Sequence, residues 1–350
     1  MRRHSAAFRS LLLLIVLGAG LMAARAEEWS FVARLNRALD EIVPLDAKVE
    51  KLAGSFGFLE GPVWVRKGGY LLFSDIPANV IYKYAPDTNK VSVFLPYSGF
   101  TGNDSSGAGM QLNDGQGLVT LLGSNAVTLD PQGRVVYCAH GDRQVVRVEA
   151  DGKRTVLASQ FEGKRLNSPN DLVYKSDGTL YFTDPPAGMR EGNNDPKKEL
   201  PFNGVYLLKD GQVHLLTKDI GPNGLAFSPD EKNLYLTDTS NGKKSIMKYD
   251  VNPDDTISNG RLFIEMNMDK APGGPDGMKV DSKGNVYCTG PGGVWIMSPE
   301  GVHLGTILNI ELPANLSFGG TDGKTLFMTA RTGLYKIQLK IPGIFAGPKS

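Results

Sequence analysis

The residues whose types and spacing could support chemistry are amides and carboxylates that recur just before short alternating strands. In four units, the residue two positions before the first apolar position of such a strand is Asn125, Asn170, Asn223 or Asp276. Two further units offer Glu60, one position earlier, and Asn315, one position later. A single Asn or Asp at the start of a strand usually caps a turn. Several at one position of a repeat favour a shared site instead.

The chemistry that such a set supports is the binding of a hard cation. Amide and carboxylate oxygens, without histidine or thiolate, suit Ca²⁺, which accepts about six to eight oxygen ligands. Glu60 and Asp276 together would neutralise a divalent charge. We therefore expect one metal ion at this position, with calcium ahead of magnesium, manganese or zinc.

A strand core that recurs six times must position these residues. The cores are 71–75, 135–139, 179–184, 233–238, 285–289 and 325–329. Each follows a tight turn and another short alternating strand, and each precedes a third strand, while a fourth strand is visible in five units. Four strands per unit at this period predict an all-β, six-bladed β-propeller with four-stranded blades. Its symmetry would aim the recurring polar residues at one mouth of the central channel.

The missing fourth strand of the last unit has a candidate replacement near the amino terminus, at 48–52. Pairing this strand with the last blade would close the ring and remove an exposed sheet edge. The repeat also bears on the two cysteines, because Cys138 and Cys288 occupy the same position in units two and five. These units face each other across the ring, whereas a disulfide needs Cα atoms within about 7 Å. We therefore expect two buried free thiols.

The second strand of each unit runs back to the same face, so the residues at its end should also surround the site. His140 ends one of these strands and is the best placed proton-transfer residue, with an ordinary pKa near 6.5. Asp184 and Asp238 are expected to brace loops rather than to react. Two long inserts, 96–117 and 185–203, fall on this face, are rich in Gly and Asn and could form a lid.

The first residues of the chain are typical of a secretory signal rather than of the fold. A basic head precedes a short apolar run, and Ala24-Arg25-Ala26 gives the small-x-small cleavage pattern. We expect cleavage after Ala26, a secreted or periplasmic protein, and a single propeller domain over 27–350; an uncleaved membrane anchor is the alternative. The rest of the chain has no second spanning stretch, and its net charge of +1 without a basic block points away from nucleic acid.

Four segments together resemble the gluconolactonase family, which belongs with senescence marker protein 30 (regucalcin), diisopropyl-fluorophosphatase and the paraoxonases. The segments are 60–64, 167–172, 221–228 and 275–281, and the resemblance runs from about Phe58 to Leu339. It implies a six-bladed propeller with a catalytic Ca²⁺ on one face. By motif, the metal ligands would be Glu60, Asn170, Asn223 and Asp276.

The resemblance also suggests roles for single residues. Asp276 matches the carboxylate proposed as base or nucleophile in the family. Paraoxonases carry two histidines at positions that match Asn125 and His140, but only His140 is a histidine here. The run 137–141 is instead similar to the bacterial gluconolactonase branch.

The expected reaction is hydrolysis of a small lactone, with glucono-1,5-lactone giving its aldonic acid as the leading case. The cation would polarise the carbonyl, and Asp276 or His140 would activate water. Asn125, Asn170 and His140 would bind substrate hydroxyls. Alternatives are a non-sugar lactone, an aryl ester or a phosphotriester at the same site, or a propeller that only binds calcium or a partner. A strictosidine-synthase-like enzyme is disfavoured because that relative lacks the metal cluster, and the oligomeric state is left open.

Overall fold

The computed structural model describes residues 32–113, 117–309 and 311–347, which are almost entirely strands and turns. The predicted signal segment, 1–26, lies outside the described residues, so cleavage after Ala26 stays a prediction. Within the described ranges, we find no helix with the length and apolar character needed to cross a bilayer. The helical segments there are single 3₁₀ turns, at Arg37–Glu41, Arg66–Gly68, Gly192–Asn194 and Ser240–Gly242.

The strands follow one another as antiparallel sheets along the chain. Two strands come first, β1 (Val32–Arg34) and β2 (Glu50–Ala53). Blade one contains β3 (Leu59–Val65), β4 (Tyr70–Asp75), β5 (Val80–Ala85) and β6 (Lys90–Pro96). A hairpin of β7 (Met110–Asn113) and β8 (Leu118–Leu121) follows. Blade two contains β9 (Ser124–Leu129), β10 (Val135–Ala139), β11 (Gln144–Val148) and β12 (Arg154–Ala158), and a short hairpin of β13 (Gln160–Phe161) and β14 (Lys164–Arg165) comes after it.

The remaining blades repeat the same order from the inner to the outer strand. Blade three contains β15 (Leu172–Tyr174), β16 (Leu180–Asp184), β17 (Gly204–Lys209) and β18 (Gln212–Thr217). Blade four contains β19 (Pro222–Phe227), β20 (Asn233–Asp238), β21 (Ser245–Val251) and β22 (Ile257–Glu265). Blade five contains β23 (Met278–Val280), β24 (Val286–Gly290), β25 (Gly293–Met297) and β26 (His303–Leu308). Blade six contains β27 (Asn315–Gly319), β28 (Thr325–Ala330) and β29 (Gly333–Gln338).

The sheets form a closed ring, as the repeat predicts. The inner strand of each blade contacts the inner strand of the next, and β27 of the last blade contacts β3 of the first. The predicted ring closure is confirmed, because β2 pairs antiparallel with β29 and places Lys51 opposite Tyr335. Blade six therefore gains its fourth strand from the amino-terminal part of the chain.

Blade five differs from the predicted four-stranded form because β1 adds a fifth strand to it. β1 pairs with β26 and places Ala33 opposite Thr306. The chain then crosses to blade six through the 3₁₀ turn Arg37–Glu41, whose Leu39 is fully buried among side chains of blades five and six. This segment lies outside the repeat, so comparison of the six units does not reveal it.

Five blades bury an aromatic side chain at the same position of the second strand, where blade one has the buried Leu72: Tyr137, Tyr181, Tyr235, Tyr287 and Phe327. Aromatic and β-branched residues favour strands because they pack well on a pleated surface. The two cysteines, Cys138 and Cys288, lie beside two of these rings and are buried free thiols, as predicted.

A buried ionic cluster joins blades three and four and is called here the Asp255 cluster. The Asp255 carboxylate accepts hydrogen bonds from Lys175 and, at 2.6 Å, from Lys209, and the Asp255 carbonyl accepts one from the Tyr181 hydroxyl at 2.5 Å. Asp255 is only 1% exposed, so its charge depends on these partners.

Candidate metal centre and active site

Two of the candidate ligand positions, Glu60 and Asn223, lie where the inner strands break their register. Pairing of β3 with β4 shifts between Glu60 and Val63, and pairing of β19 with β20 shifts between Pro222 and Leu225. Such bulges re-aim side chains and increase the local twist. They account for the Glu60 and Asn223 side chains leaving the plane of the sheet at these two points.

Glycines directly after Glu60 and Asn223 let neighbouring inner strands approach each other closely. A Cβ atom added at Gly61 would lie 2.1 Å from the Cα of Ala126 in blade two. One added at Gly224 would lie 2.0 Å from the carbonyl oxygen of Asp276 in blade five. Both distances are far inside contact range, so only glycine fits. The close approach brings residues from distant parts of the chain to one level of the channel.

Main-chain hydrogen bonds link consecutive blades at this level. The Ala126 N–H donates to the Asn170 carbonyl at 3.0 Å, joining blades two and three. The Gly277 N–H donates to the Ala314 carbonyl at 2.9 Å, joining blades five and six. Asn170 is 5% exposed and is held through its main chain on both sides, because its own N–H donates to Thr183.

Glu60 and Asp276 are neighbouring buried carboxyl groups, and the Asn223 side chain hydrogen-bonds to Asp276. Burial raises the pKa of Glu60 to about 7. Burial also raises the pKa of Asp276 well above its usual range, the negative charges of Glu60 and Asp171 raise it further, and the Asn223 amide opposes the rise. Two neighbouring buried carboxyl groups cannot both ionise readily without a compensating cation.

The oxygens present fit a divalent metal. Asn223 Oδ1 and Asp171 Oδ2 are buried and have no hydrogen-bond partner in the structure. Buried polar atoms are normally satisfied, so unsatisfied oxygens beside two carboxyl groups suit a bound cation. No group of three or more His, Cys, Asp or Glu side chains within the described ranges is arranged to hold a metal. A cation here would therefore depend on amide oxygens as well as on carboxylates, as Ca²⁺ sites often do.

Asn125 and His140, both predicted to meet substrate, form a buried pair beside this cluster. Asn125 Nδ2 lies 3.2 Å from His140 Nε2, and the two residues are 3% and 1% exposed. Burial lowers the pKa of His140 to about 3, so the imidazole is neutral. With Nε2 accepting from the amide, Nδ1 carries the hydrogen. Asn125 Oδ1 and His140 Nδ1 have no partner in the structure, which leaves an acceptor and a donor for a ligand.

The two long inserts meet over His140, on the face where the sequence placed them. The Gly109 N–H donates to the Gly188 carbonyl at 2.8 Å, and the Met110 N–H donates to the Ala187 carbonyl at 3.2 Å. Gly188 packs so tightly on His140 that an added Cβ would lie 2.7 Å from the histidine Cβ. The inserts therefore cover one side of the site as a joined pair.

Sequence reasoning missed a set of buried threonines on the second strands, which it used only to measure the repeat. The set is Thr183, Thr237, Thr289 and Thr329, all fully buried. The Thr183 hydroxyl accepts from the Asp171 N–H at 3.1 Å and donates to the Asn223 carbonyl at 2.7 Å, so it links blades three and four. The Thr289 hydroxyl accepts from the Asp276 N–H at 2.9 Å. These hydroxyls supply hydrogen bonds where the main-chain pairing between strands is interrupted. The sequence feature that could have revealed them is the Thr that recurs at one position of the repeat.

Carboxylates at the ends of second strands brace the loops, as expected for Asp184 and Asp238. Asp184 Oδ2 accepts from the Asn167 N–H at 2.7 Å, and Asp238 Oδ1 accepts from the Gly221 N–H at 2.9 Å. Both interactions fix the loop that leads into the inner strand of the same blade. These two aspartates thus position the segments that carry Asn170 and Asn223.

A cavity of about 620 Å³ occupies the central channel directly behind the cluster, and Asp171, Lys279 and Asn315 line it. The sequence placed Asn315 among the polar residues of the channel mouth. In the structure, Asn315 Nδ2 donates to Glu60 Oε2 at 3.1 Å, and the Asn315 side chain borders the channel cavity. Blade six therefore supports Glu60 at this level.

Comparison with known proteins shows which proteins this chain is similar to. It is 34% identical to the gluconolactonase of Zymomonas mobilis over 320 residues, which cover 89% of this chain and 87% of that protein. It is 25% identical to a pentonolactonase of Haloferax volcanii, over 78% of this chain and 81% of the relative. The solved structure of a Xanthomonas campestris gluconolactonase superposes with a TM-score of 0.74 at 29% identity, covering 88% of this chain and 94% of that one. Residues 58–332 match the model of the SMP-30/Gluconolactonase/LRE-like region, and the chain belongs to this family.

Proposed function

We propose that this protein hydrolyses the ring ester of a small sugar lactone, with glucono-1,5-lactone as the leading substrate, and that it does so with one bound divalent cation. The observation that carries the proposal is the buried pair of Glu60 and Asp276 beside the unpartnered amide oxygen of Asn223. Relatives named for the hydrolysis of gluconolactone and pentonolactone support a lactone as the substrate class.

The residues that would hold the cation are Glu60, Asn170, Asn223 and Asp276. Their oxygens favour calcium, ahead of magnesium, manganese or zinc, because neither imidazole nor thiolate takes part. When bound, the cation would supply Lewis-acid polarisation of the lactone carbonyl. The four residues come from four blades, so the folded ring itself pre-organises the site.

The reaction adds one water to the lactone and breaks the ring C–O bond. The Asp276 carboxylate is the proposed general base, taking a proton from water as the water oxygen bonds to the carbonyl carbon. That proton is then available to the ring oxygen as it leaves, so the product is one open-chain hydroxy acid. His140 is a poorer base, because burial lowers the pKa of its imidazole to about 3 and its Nε2 already accepts from the Asn125 amide.

Asn125 and His140 are instead proposed to orient the substrate. Asn125 Oδ1 can accept from a sugar hydroxyl, and His140 Nδ1–H can donate to one. Donors and acceptors that are buried and unpaired without substrate discriminate against analogues that lack the matching hydroxyls. This arrangement favours a polyhydroxylated lactone over a lipophilic one.

The test is a substrate panel assayed with calcium and after chelation: glucono-1,5-lactone, a lipophilic lactone, an aryl ester and a phosphotriester. We expect the sugar lactone to be turned over fastest, and we expect chelation to stop turnover. Asp276→Asn should lower kcat by about 10²- to 10⁴-fold, the usual contribution of a general base. Asp250→Asn, at an ion pair with Arg261 on the outer part of blade four, is the matched control and should retain activity.

Equal rates for Asp276→Asn and the wild type would remove Asp276 from the mechanism. Faster turnover of the aryl ester or the phosphotriester would reassign the substrate class. Tight calcium binding with no turnover of any substrate would favour a non-catalytic, calcium-binding propeller.

A further inference from the structure

Asn315 of blade six occupies a position between two buried carboxyl groups. It is 2% exposed, and its Nδ2 donates to Glu60 Oε2 at 3.1 Å. Its Oδ1 accepts from the Leu316 N–H at 2.8 Å, which fixes which end of the amide faces Glu60. The amide therefore presents its donor, and not its acceptor, to the Glu60 carboxylate.

Room for this amide comes from the neighbouring blade. A Cβ added at Gly277 would lie 2.1 Å from Asn315 Cγ and 2.2 Å from Asn315 Oδ1. Gly277 directly follows Asp276, so the same segment that carries one proposed ligand makes space for the residue that contacts another. The contact between Asn315 and Glu60 thus joins blades six and one, and it depends on the space that Gly277 leaves in blade five.

The hydrogen bonds to Glu60 divide its two oxygens. Oε2 accepts from the Gly61 N–H at 2.8 Å and from Asn315 Nδ2, so both of these donors bind the same oxygen. Neither donor occupies Oε1. A carboxylate held in this way is fixed about its last torsion, and side chains that orient a metal ligand commonly affect the affinity for the metal.

The far side of the Asn315 amide faces the channel and Asp171. Asp171 is 3% exposed, its Oδ2 has no partner, and it lines the channel cavity together with Asn315 and Lys279. Asp171 and Asn315 lie in opposite blades, three and six, and they occupy the position where blades four and five have Gly224 and Gly277. The absence of a side chain at Gly277 leaves the space that the Asn315 amide fills.

We propose that Asn315 is a positioning residue for the metal site, which holds Glu60 Oε2 and so leaves Oε1 as the oxygen that ligates the cation. The inference rests on the proposed function, since it needs a cation at Glu60. It gives a role to the sixth blade, which contributes none of the four proposed ligands. The affinity for the metal would then depend on the hydrogen bond from the neutral Asn315 amide to Glu60, and not on an additional charged ligand.

The experiment is isothermal titration of CaCl₂ into the chelator-treated, full folded protein, with Asn315→Leu as the test variant. Leucine keeps a similar volume and removes the donor. We expect the calcium Kd of N315L to rise by about 10- to 100-fold, as for other residues that orient metal ligands. We also expect saturating calcium to restore much of the turnover of glucono-1,5-lactone.

Asn285→Leu is the matched control. Asn285 is also buried, and its Nδ2 also donates to a carboxylate, Asp281 Oδ2 at 2.8 Å, but at the opposite end of blade five. N285L should lose stability and keep the calcium Kd of the wild type. If N315L does not fold, as judged by near-ultraviolet circular dichroism, Asn315→Ala carries the same titration, because it only removes atoms.

The outcomes separate this inference from the proposed function. If the wild type binds calcium and N315L binds it with the same Kd, Asn315 does not position the site and only the present inference fails. A similar loss of calcium affinity in N285L would likewise overturn it, since a general loss of packing would then explain both variants. If the wild type itself binds no divalent cation, the proposed metal site fails first.

Discussion

Replacing the Thr183 hydroxyl by a methyl group, as Thr183→Val, should both destabilise the fold and loosen the proposed metal site. Valine has nearly the shape of threonine, so the change removes hydrogen bonds at a fully buried position with little change in packing. The Asp171 N–H, 3.1 Å from Thr183 Oγ1, loses an acceptor, and the Asn223 carbonyl, 2.7 Å away, loses a donor. A buried polar group left unsatisfied costs about 1–3 kcal/mol. Two groups are affected, and the contact with the Asn223 carbonyl is only partly buried, so we expect the free energy of unfolding to fall by about 2–4 kcal/mol.

Thr237→Val is the matched comparison at the same position of the next blade. The Thr237 hydroxyl makes one long hydrogen bond, 3.4 Å to the Gly224 carbonyl, and is equally buried. Its loss should cost about 1 kcal/mol or less, because a bond at this length is weak. Urea unfolding of both variants measures this difference in the free energy of unfolding, provided that the m-value is the same for the two variants and the wild type.

The affinity for calcium provides the second measurement. The Thr183 hydroxyl holds the main chain of Asn223, a proposed ligand, and it also holds the N–H of Asp171, the residue after Asn170. Thr183→Val should therefore weaken calcium binding more than Thr237→Val does. Thr183→Ser, which restores the hydroxyl, should recover most of the loss. If the two valine variants were equal in stability and in calcium affinity, the idea that these hydroxyls replace missing ladder bonds at the ligand positions would be refuted.

Two further predictions concern the insert over the site and the Asp255 cluster. Gly188→Ala places a Cβ 2.7 Å from the His140 Cβ and should raise KM for the sugar lactone. Gly117→Ala, in the other insert, adds a Cβ that meets no described atom within 4 Å and should leave KM unchanged. Burial opposes ionisation of Asp255, but hydrogen bonds from its two lysines prevail and lower its pKa. A lowered pKa in the folded state stabilises the fold above the ordinary value of about 3.9 and loses this effect as the pH falls through the folded pKa. Asp255→Asn should therefore be less stable than the wild type in urea at pH 7, and the gap should narrow in acid; a gap independent of pH would contradict this.

The repeat made the fold predictable from sequence. Six cores with similar flanking turns leave little choice except a ring, and the strand at 48–52 was recognisable because one blade lacked a partner for its outer edge. β1 was not predictable in the same way. It has three residues, belongs to no repeat unit, and pairs only because blade five still offers the open edge of β26.

The site was predictable in its residue types but less so in its supporting contacts. A repeat shows that Glu60 and Asp276 lie at the same level, because position within a blade fixes height in the ring. It does not show which way a side chain turns once a bulge has interrupted the strand. Asn315 illustrates the limit: a shift of one position in blade six placed its amide against Glu60, and only the contact with Gly277 explains why it fits there.

The pairing of β2 with β29 also sets the order in which the molecule can be assembled. Lys51 is made among the first parts of the folded domain and Tyr335 among the last, so β2 must wait for nearly the whole chain before it finds its partner. Contacts between residues so far apart in sequence are slow to form, and a strand that waits with an open edge is open to pairing with other chains. Nascent or truncated chains that lack the last blade should consequently be prone to aggregation, even though five of their sheets are already encoded.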